Sequence, residues 1–273
     1  NRGIQGLYPP GSTFKLIAAA LAKEKNSVSK NWTVNCNGVY HFGDRDFHCW
    51  NIAGHGEMNL DKAIYQSCNV YFYRLMQKLS LSDWKELAEK FGFGSITGVD
   101  IYGEKAGNVP GKSYLNKKYG RYGWAAGNLL TFIIGQGDIL VTPIQIVQMM
   151  NIIATRGNTR SPHFNLYDTS EKMTLSLKSS TWDYLQNATW NVVNHENGTG
   201  KAARINGATV HGKTGTAQNP HGEDHSWFAG YLVKDGRPVL SLVVLVEHGG
   251  KGSVEAALIS HKIFNYAQKN FSL

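Results

Sequence analysis

Gly207-Ala208-Thr209-Val210-His211-Gly212-Lys213-Thr214-Gly215-Thr216-Ala217-Gln218 opens a late run of three expected strands. The second covers 226–234 and the third 238–246, with Asp235-Gly236 between them. That dipeptide favours a tight hairpin turn, so the last two strands read as antiparallel. A closing helix is expected over 253–269. Upstream the periodicity is helical. Over 12–25, Phe14, Ile17, Ala18, Leu21 and Ala22 recur on one face, and Pro9-Pro10-Gly11 blocks extension backwards. Further helices read over 60–65, 70–79, 81–91 and 179–195. Another opens at Thr142-Pro143 and runs to about 155, with threonine at the cap and proline in the first helical position. Residues 32–56 read as irregular or β-like. Residues 94–131 are glycine-rich and read as one long loop, a feature usually functional in a compact domain. Helices fill the middle, an antiparallel sheet comes late and a last helix follows. This is an α+β plan, without the β-α alternation of a parallel sheet.

The bulk numbers agree with a folded domain. The chain has 273 residues, 42% of them hydrophobic, and a formal net charge of +8. The charge suits acidic partners such as anionic lipid or a polyanionic wall. Nucleic acid is not expected, because Lys112, Lys117, Lys118 and Arg121 are spread through a Gly/Tyr segment and form no dense run. No stretch reaches the roughly 18 apolar residues that span a bilayer. The chain shows no signal peptide and does not begin with Met. The expectation is a fragment whose amino-terminal part, with an anchor, has been removed.

Three short motifs carry chemistry. In Pro10-Gly11-Ser12-Thr13-Phe14-Lys15, positions 12 and 15 share a helix face, so Lys15 can reach Ser12. A serine needs a base, and an amine serves as one only when burial or nearby cations lower its pKa. Ser12 also lies at a helix start, where free N–H groups favour a developing anion. The bland reading is a helix cap beside a surface lysine. In Ser67-Cys68-Asn69, a hydroxyl can shuttle a proton and an amide can hold a peptide carbonyl; the bland reading is another cap. In Lys213-Thr214-Gly215, strand alternation sends Lys213 and Thr214 to opposite faces. Gly215 lets a substrate lie against the backbone. The bland reading is an edge strand with a surface lysine.

Together and in this order, the three motifs form the active-serine signature of penicillin-binding proteins and class A β-lactamases. The chain most resembles the transpeptidase domain of a class B penicillin-binding protein of the elongation type, penicillin-binding protein 2. Tyr8-Pro9-Pro10-Gly11-Ser12-Thr13-Phe14-Lys15, Gly135-Gln136-Gly137 with Thr142-Pro143, Lys213-Thr214-Gly215-Thr216-Ala217-Gln218 and Ser226-Trp227-Phe228-Ala229-Gly230-Tyr231 carry the likeness. The resemblance implies a single transpeptidase domain over 1–273, lacking anchor and pedestal, with an antiparallel sheet covered by helices and a helical subdomain. It implies that Ser12 attacks a D-Ala-D-Ala stem peptide with Lys15 as base, while Ser67 and Asn69 relay protons and position the donor. Lys213 would supply positive field, Thr214, Gly215 and Thr216 would bind substrate, and the Ser12 and Thr216 N–H groups would form an oxyanion hole. Implied partners are peptidoglycan stem peptides, β-lactams and a membrane glycosyltransferase of the elongation machinery, at the periplasmic face of the cytoplasmic membrane. The competing readings are a β-lactam sensor domain, a class A-like β-lactamase and a zinc-held homologue without turnover. Glu104-Lys105-Ala106-Gly107-Asn108 resembles the Glu-x-x-x-Asn of the lactamases, but a deacylating Glu104 is not expected.

The cysteines are Cys36, Cys49 and Cys68, an odd count. With His55 they make a closed tetrahedral zinc set of three thiolates and an imidazole. Some elongation-type relatives are expected to carry such a zinc near the active site. The alternatives are a Cys36–Cys49 disulfide with Cys68 buried, or three buried thiols. His48 is a rival ligand, though adjacent residues seldom share a metal. His221-Gly222-Glu223-Asp224-His225 reads as a solvated loop by the cleft, and His211 as a strand residue with no separate role.

Overall fold

The computed structural model describes residues 1–165, 170–219, 222–250, 254–271 and 273. A single turn, α1 (Arg2–Gln5), precedes a 3₁₀ turn, Gly11–Phe14, which runs directly into α2 (Lys15–Glu24). From Lys15 to Ala22 every residue of α2 is buried, as expected of a helix apolar on all sides. The irregular segment resolves into β1 (Val34–Cys36), β2 (Val39–Phe42), β3 (Arg45–His48) and β4 (Gly56–Met58), with β1 paired to β4 and β2 to β3. Then come α3 (Leu60–Tyr65), α4 (Asn69–Met76) and α5 (Leu81–Lys90), close to the expected spans.

The expected long loop over 94–131 contains two helices, α6 (Lys112–Tyr119) and α7 (Ala126–Ile133). Glycine content misleads there. Gly111 and Gly120 flank α6 rather than interrupt it, and Leu130, Phe132 and Ile133 bury one side of α7. Next is α8 (Pro143–Ala154). Thr142 is its N-cap residue and Pro143 its first helical residue, as expected; the Gln145 carboxamide oxygen accepts from the Thr142 N–H at 2.9 Å, while the Thr142 hydroxyl is buried without a partner among the described residues. A small hairpin, β5 (Asn158–Arg160) with β6 (Lys172–Thr174), was not expected. After it comes α9 (Ser179–Asn194).

The main sheet is β7 (Thr209–Ala217), β8 (His225–Lys234) and β9 (Arg237–Val246), antiparallel in that order. Asp235 and Gly236 both take positive φ, as a type I′ hairpin requires. The closing helix is α10 (Glu255–Asn270); its expected first residue, 253, lies outside the described residues. The central strand β8 is buried on both faces. Trp227, Ala229 and Tyr231 join the core shared with α8 and α9, and Phe228 and Leu232 join the one under α10. Period-two alternation therefore sorts one strand into two cores. On the other side of β7 stands the helical subdomain, where Phe14 packs edge-on against Trp84 and Phe93. The Gly11–Phe14 turn is wedged between these two masses.

Candidate active site

Gly11 sets the position of Ser12. Its φ is +56°, and a Cβ there would lie 2.4 Å from the Thr216 carbonyl, so only glycine lets the turn touch β7 this closely. The Gly11 N–H donates to Gly135 O at 2.9 Å, and Gln136 Nε2 donates to Thr216 O at 3.0 Å. The Gly135-Gln136 turn thus clamps the Gly11–Phe14 turn to the strand. Ser12, Ser67, Asn69, Thr214, Gly215 and Thr216 all line one cleft of about 510 Å³.

Lys15 is wholly buried beneath that cleft. Its Nζ donates to Ser67 O at 2.8 Å, Ser67 Oγ at 3.3 Å and Asn69 Oδ1 at 2.6 Å. Burial lowers its pKa to about 8, against an opposing pull from the nearby cysteines. Among the described residues no hydrogen bond joins it to the Ser12 hydroxyl, the contact the i, i+3 spacing led us to expect. The resting amine is turned toward the second motif, and such bonds commonly close only when substrate is bound.

Ser67 sits at φ +56°, in the left-handed region that a non-glycine residue rarely adopts. The turn is held by Ser67 N donating to Ile64 O and Cys68 N donating to Ala63 O. α4 then begins at Asn69, one residue earlier than the apolar pattern shows. Lys213, also fully buried, donates through Nζ to Ser67 Oγ at 2.9 Å and to Thr214 O at 3.0 Å. Burial, reinforced by the positive charge of Lys15, pushes its pKa well down. A carboxylate arriving in the cleft would reverse that bias. The surface-lysine reading therefore fails for Lys15 and for Lys213.

Sequence reasoning missed Thr199. Its hydroxyl lies 2.7 Å from that of Thr214, and its N–H donates to Tyr65 O at 3.0 Å. Gly198-Thr199-Gly200 follows a helix without any recognisable chemistry of its own, so only the fold reveals its place. Gln136 was legible only as part of a likeness. Glu104, by contrast, lies away from the cleft; its carboxylate accepts from the Thr97 and Gly98 N–H groups and staples a loop. His211 stacks on Tyr231 and donates through Nδ1 to Gln186 O at 3.0 Å, and burial lowers its pKa to about 4. Of the other histidine cluster, His221 lies outside the described residues, and His225 packs edge-on against His248.

The donor atoms of Cys36, Cys49, His55 and Cys68 all lie within 4.8 Å of one another. The His55 Nδ1 is 3.6 Å from Cys36 Sγ and 3.5 Å from Cys49 Sγ, so that nitrogen faces the cluster. All three cysteines are free and buried. Hydrogen bonding from Cys68 holds the Cys36 and Cys49 thiols well below their ordinary range, and Cys68 is driven up in exchange. Asn69 N also donates to Cys49 Sγ at 3.3 Å. A soft, closed set of three sulfurs and one imidazole fits zinc. His48 stands outside the set and contributes its backbone carbonyl to Asn69 and Tyr73.

A serine at a helix start, two buried amines and a second serine between them, beside an antiparallel strand, define an active-serine acyl-transfer domain of α+β fold. The chain belongs to the penicillin-binding protein transpeptidase domain family, which matches residues 1–265. Peptidoglycan D,D-transpeptidase MrdA of Haemophilus influenzae is 32% identical over 295 residues, covering 97% of this chain and 45% of the relative. Penicillin-binding protein (PBP2) of Helicobacter pylori superposes with a TM-score of 0.91 at 32% identity, over 100% of this chain and 51% of that one. A chain from a peptidoglycan synthase complex, described for its coordination of polymerization and crosslinking, superposes at 0.86 with 30% identity, over 100% of this chain and 48% of that one. The chain thus spans about half the length of these relatives. Their names agree with the elongation-type resemblance, and the α+β expectation holds.

Proposed function

We propose that the chain is the acyl-transferring part of a peptidoglycan D,D-transpeptidase that crosslinks stem peptides during wall elongation. The observation that carries this reading is the convergence of Lys15, Ser67, Asn69 and Lys213 on the cleft that exposes Ser12. In the reading, Ser12 Oγ attacks the carbonyl between the two terminal D-alanines and Lys15 takes its proton. The Ser12 and Thr216 N–H groups receive the oxyanion, and such a donor typically contributes about 2.7–4 kcal/mol. Ser67 passes a proton to the leaving amine as the C–N bond breaks. Thr214 and Thr216 hold the leaving carboxylate, with Lys213 behind them. An amine from a second stem peptide then attacks the Ser12 ester, forming the crosslink and returning the proton to Ser12. A β-lactam enters the first half-reaction and stays.

The cysteine cluster is part of the proposal: Cys36, Cys49, His55 and Cys68 would hold one zinc. Bound there, the ion supplies charge balance to three thiolates, a structural role outside acyl transfer. The ligand Cys68 separates Ser67 from Asn69, and the ligand Cys49 accepts from Asn69 N. Both fix the second motif. A relative found in a peptidoglycan synthase complex that coordinates polymerization and crosslinking supports a polymerizing partner, which this reading takes to be a membrane glycosyltransferase working at the periplasmic face. No helix of the described residues is long and apolar enough to cross a membrane.

Intact-protein mass spectrometry after exposure to benzylpenicillin tests the reading. The parent should gain one lasting adduct and Ser12→Ala none. Rapid loss of the adduct would replace the transpeptidase with a β-lactamase, and no adduct would remove the acyl-enzyme altogether.

A further inference from the structure

The cleft does not end at the second motif. Trp50 and Thr199 line it, and the same two residues line a second cavity of about 460 Å³ that continues beyond them. Thr199 is the ridge between the two spaces. It is tied on one side to Thr214, in the active strand, and on the other to the Tyr65 carbonyl. Past the ridge the walls carry Glu196, Asn197 and Lys201 from the turn after α9, facing Gln66.

The chemistry of this second space is mixed. Among the described residues the Glu196 carboxylate has no ion-pair or hydrogen-bond partner. Lys201 donates instead to the Glu196 backbone carbonyl, at 2.6 Å. Both charges are exposed to whatever enters. Trp50 is 54% exposed, its indole N–H fixed on Gln66 O at 3.0 Å and its ring edge-on to His55. A rigid aromatic ring beside one acid and one base suits a peptide bearing charges of both signs. The volume lies within the usual range for a small-ligand site.

We propose that this second cavity binds the peptide of the amine acceptor, the stem peptide whose amine resolves the acyl-enzyme. The inference rests on the transpeptidase reading. In acylation the leaving amine takes its proton from Ser67, and its carboxylate lies at Thr214. Aminolysis is the same step run backwards, so the incoming amine occupies the place the leaving amine vacated. Its nitrogen bonds the acyl carbon, the ester C–O bond breaks, and the amine proton passes through Ser67 and Lys15 to Ser12 Oγ. Any chain attached to that amine must then run beyond Thr214, and Thr199 with its cavity lies there. A free amino acid has no such chain and stops short of the ridge.

Glu196→Arg and Lys201→Glu alter exposed charges in this cavity only, away from the residues assigned to the donor. Each variant of the full chain is compared with the parent in three measurements: acylation by a fluorescent penicillin, transfer from a D-alanyl thioester donor to D-alanine, and transfer from that donor to a stem tripeptide carrying a diamino acid. Acylation and transfer to D-alanine should stay within about twofold of the parent, while transfer to the tripeptide falls about tenfold through a higher KM for the tripeptide. If both variants transfer to the tripeptide as well as the parent does, the cavity is not the acceptor site. An equal loss with both amines overturns it too. A parent that is not acylated, or that transfers to neither amine, overturns the transpeptidase reading and this inference with it.

Discussion

Lys213 Nζ donates to the Ser67 hydroxyl at 2.9 Å, bridging 146 positions of sequence. Lys15 Nζ approaches the same oxygen at 3.3 Å. A serine hydroxyl has two acceptor sites and one proton to give. With amines at both acceptor sites, the Ser67 proton is left to point into the cleft, where a leaving amine would need it. The strained backbone at Ser67 is what brings the oxygen between the two lysines.

This geometry predicts that Ser67 and Lys213 act as a unit. Ser67→Ala should slow acylation of Ser12 by about 10²–10⁴-fold, the range for a lost proton-transfer group. Lys213→Ala should cost a similar factor, and the double variant little more than either single one. That outcome is a coupling of about 2.7 kcal/mol or more, at or above the top of the range of about 0.5–3 kcal/mol usual for residues sharing a network. Second-order acylation rate constants for the parent and three variants give the cycle. Multiplicative effects would mean that the two residues work independently.

The pH dependence follows from Lys15. Its ammonium must lose a proton before it can serve as base, and burial lowers the pKa to about 8. Acylation should therefore rise with pH, pass through its midpoint near 8 and level off above it. Well below the midpoint each unit of pH should cost about tenfold. Buried charges are weakly screened, so added salt should shift the midpoint little. Lys15→Arg stays charged at any accessible pH and should be inactive. A rate that is flat between pH 6 and 9 would exclude Lys15 as the base.

Thr199 should matter for carboxylate recognition. Its hydroxyl holds that of Thr214 at 2.7 Å, so it sets the direction of a group expected to meet the substrate carboxylate. Thr199→Val leaves Thr214 unoriented and should reduce acylation by about tenfold, the value of one good hydrogen bond. Thr199→Ser should restore most of the rate. A penicillin methyl ester, which lacks the carboxylate, should acylate the valine variant and the parent at similar rates. Equal losses for acid and ester would assign Thr199 a purely structural part.

The chain itself made much of this site legible. Ser12, Lys15, Ser67, Asn69 and Lys213 were readable because acyl transfer demands those residue types near helix starts and on a strand. Period-two patterning and Asp235-Gly236 gave the sheet, and helical spacing gave α2 through α5 to within three residues at each end. The failures share one cause. In α7 burial outweighs a poor local composition, and no propensity scale contains the neighbours that make Leu130 and Phe132 worth burying. Thr199 and Gln136 act through partners distant in sequence, Thr214 and Thr216, and a contact of that kind leaves no spacing to read. The rotation of Lys15 toward Ser67 and Asn69 is of the same sort. Helical spacing established that it can reach Ser12, but not which neighbour it prefers at rest.

The cysteine cluster gives the last prediction. Three thiols packed within 4.8 Å of an imidazole can shed protons only in turn, since each thiolate raises the cost of the next in a buried setting. A dication removes that conflict and releases protons on binding. Native mass spectrometry should therefore find one zinc per chain, and Cys49→Ser should bind it poorly. The loss should travel along a short path. Cys49 Sγ accepts from Asn69 N, and Asn69 Oδ1 holds Lys15 Nζ, so Lys15 sits two contacts from the Cys49 sulfur. Cys49→Ser or exhaustive chelation should lower Tm by about 5 °C or more and slow acylation by about tenfold. Restoring zinc to the chelated parent should recover both, and adding it to the variant neither. Chelated protein that contains no metal yet keeps its Tm and its acylation rate would reduce the cluster to three buried thiols beside a histidine.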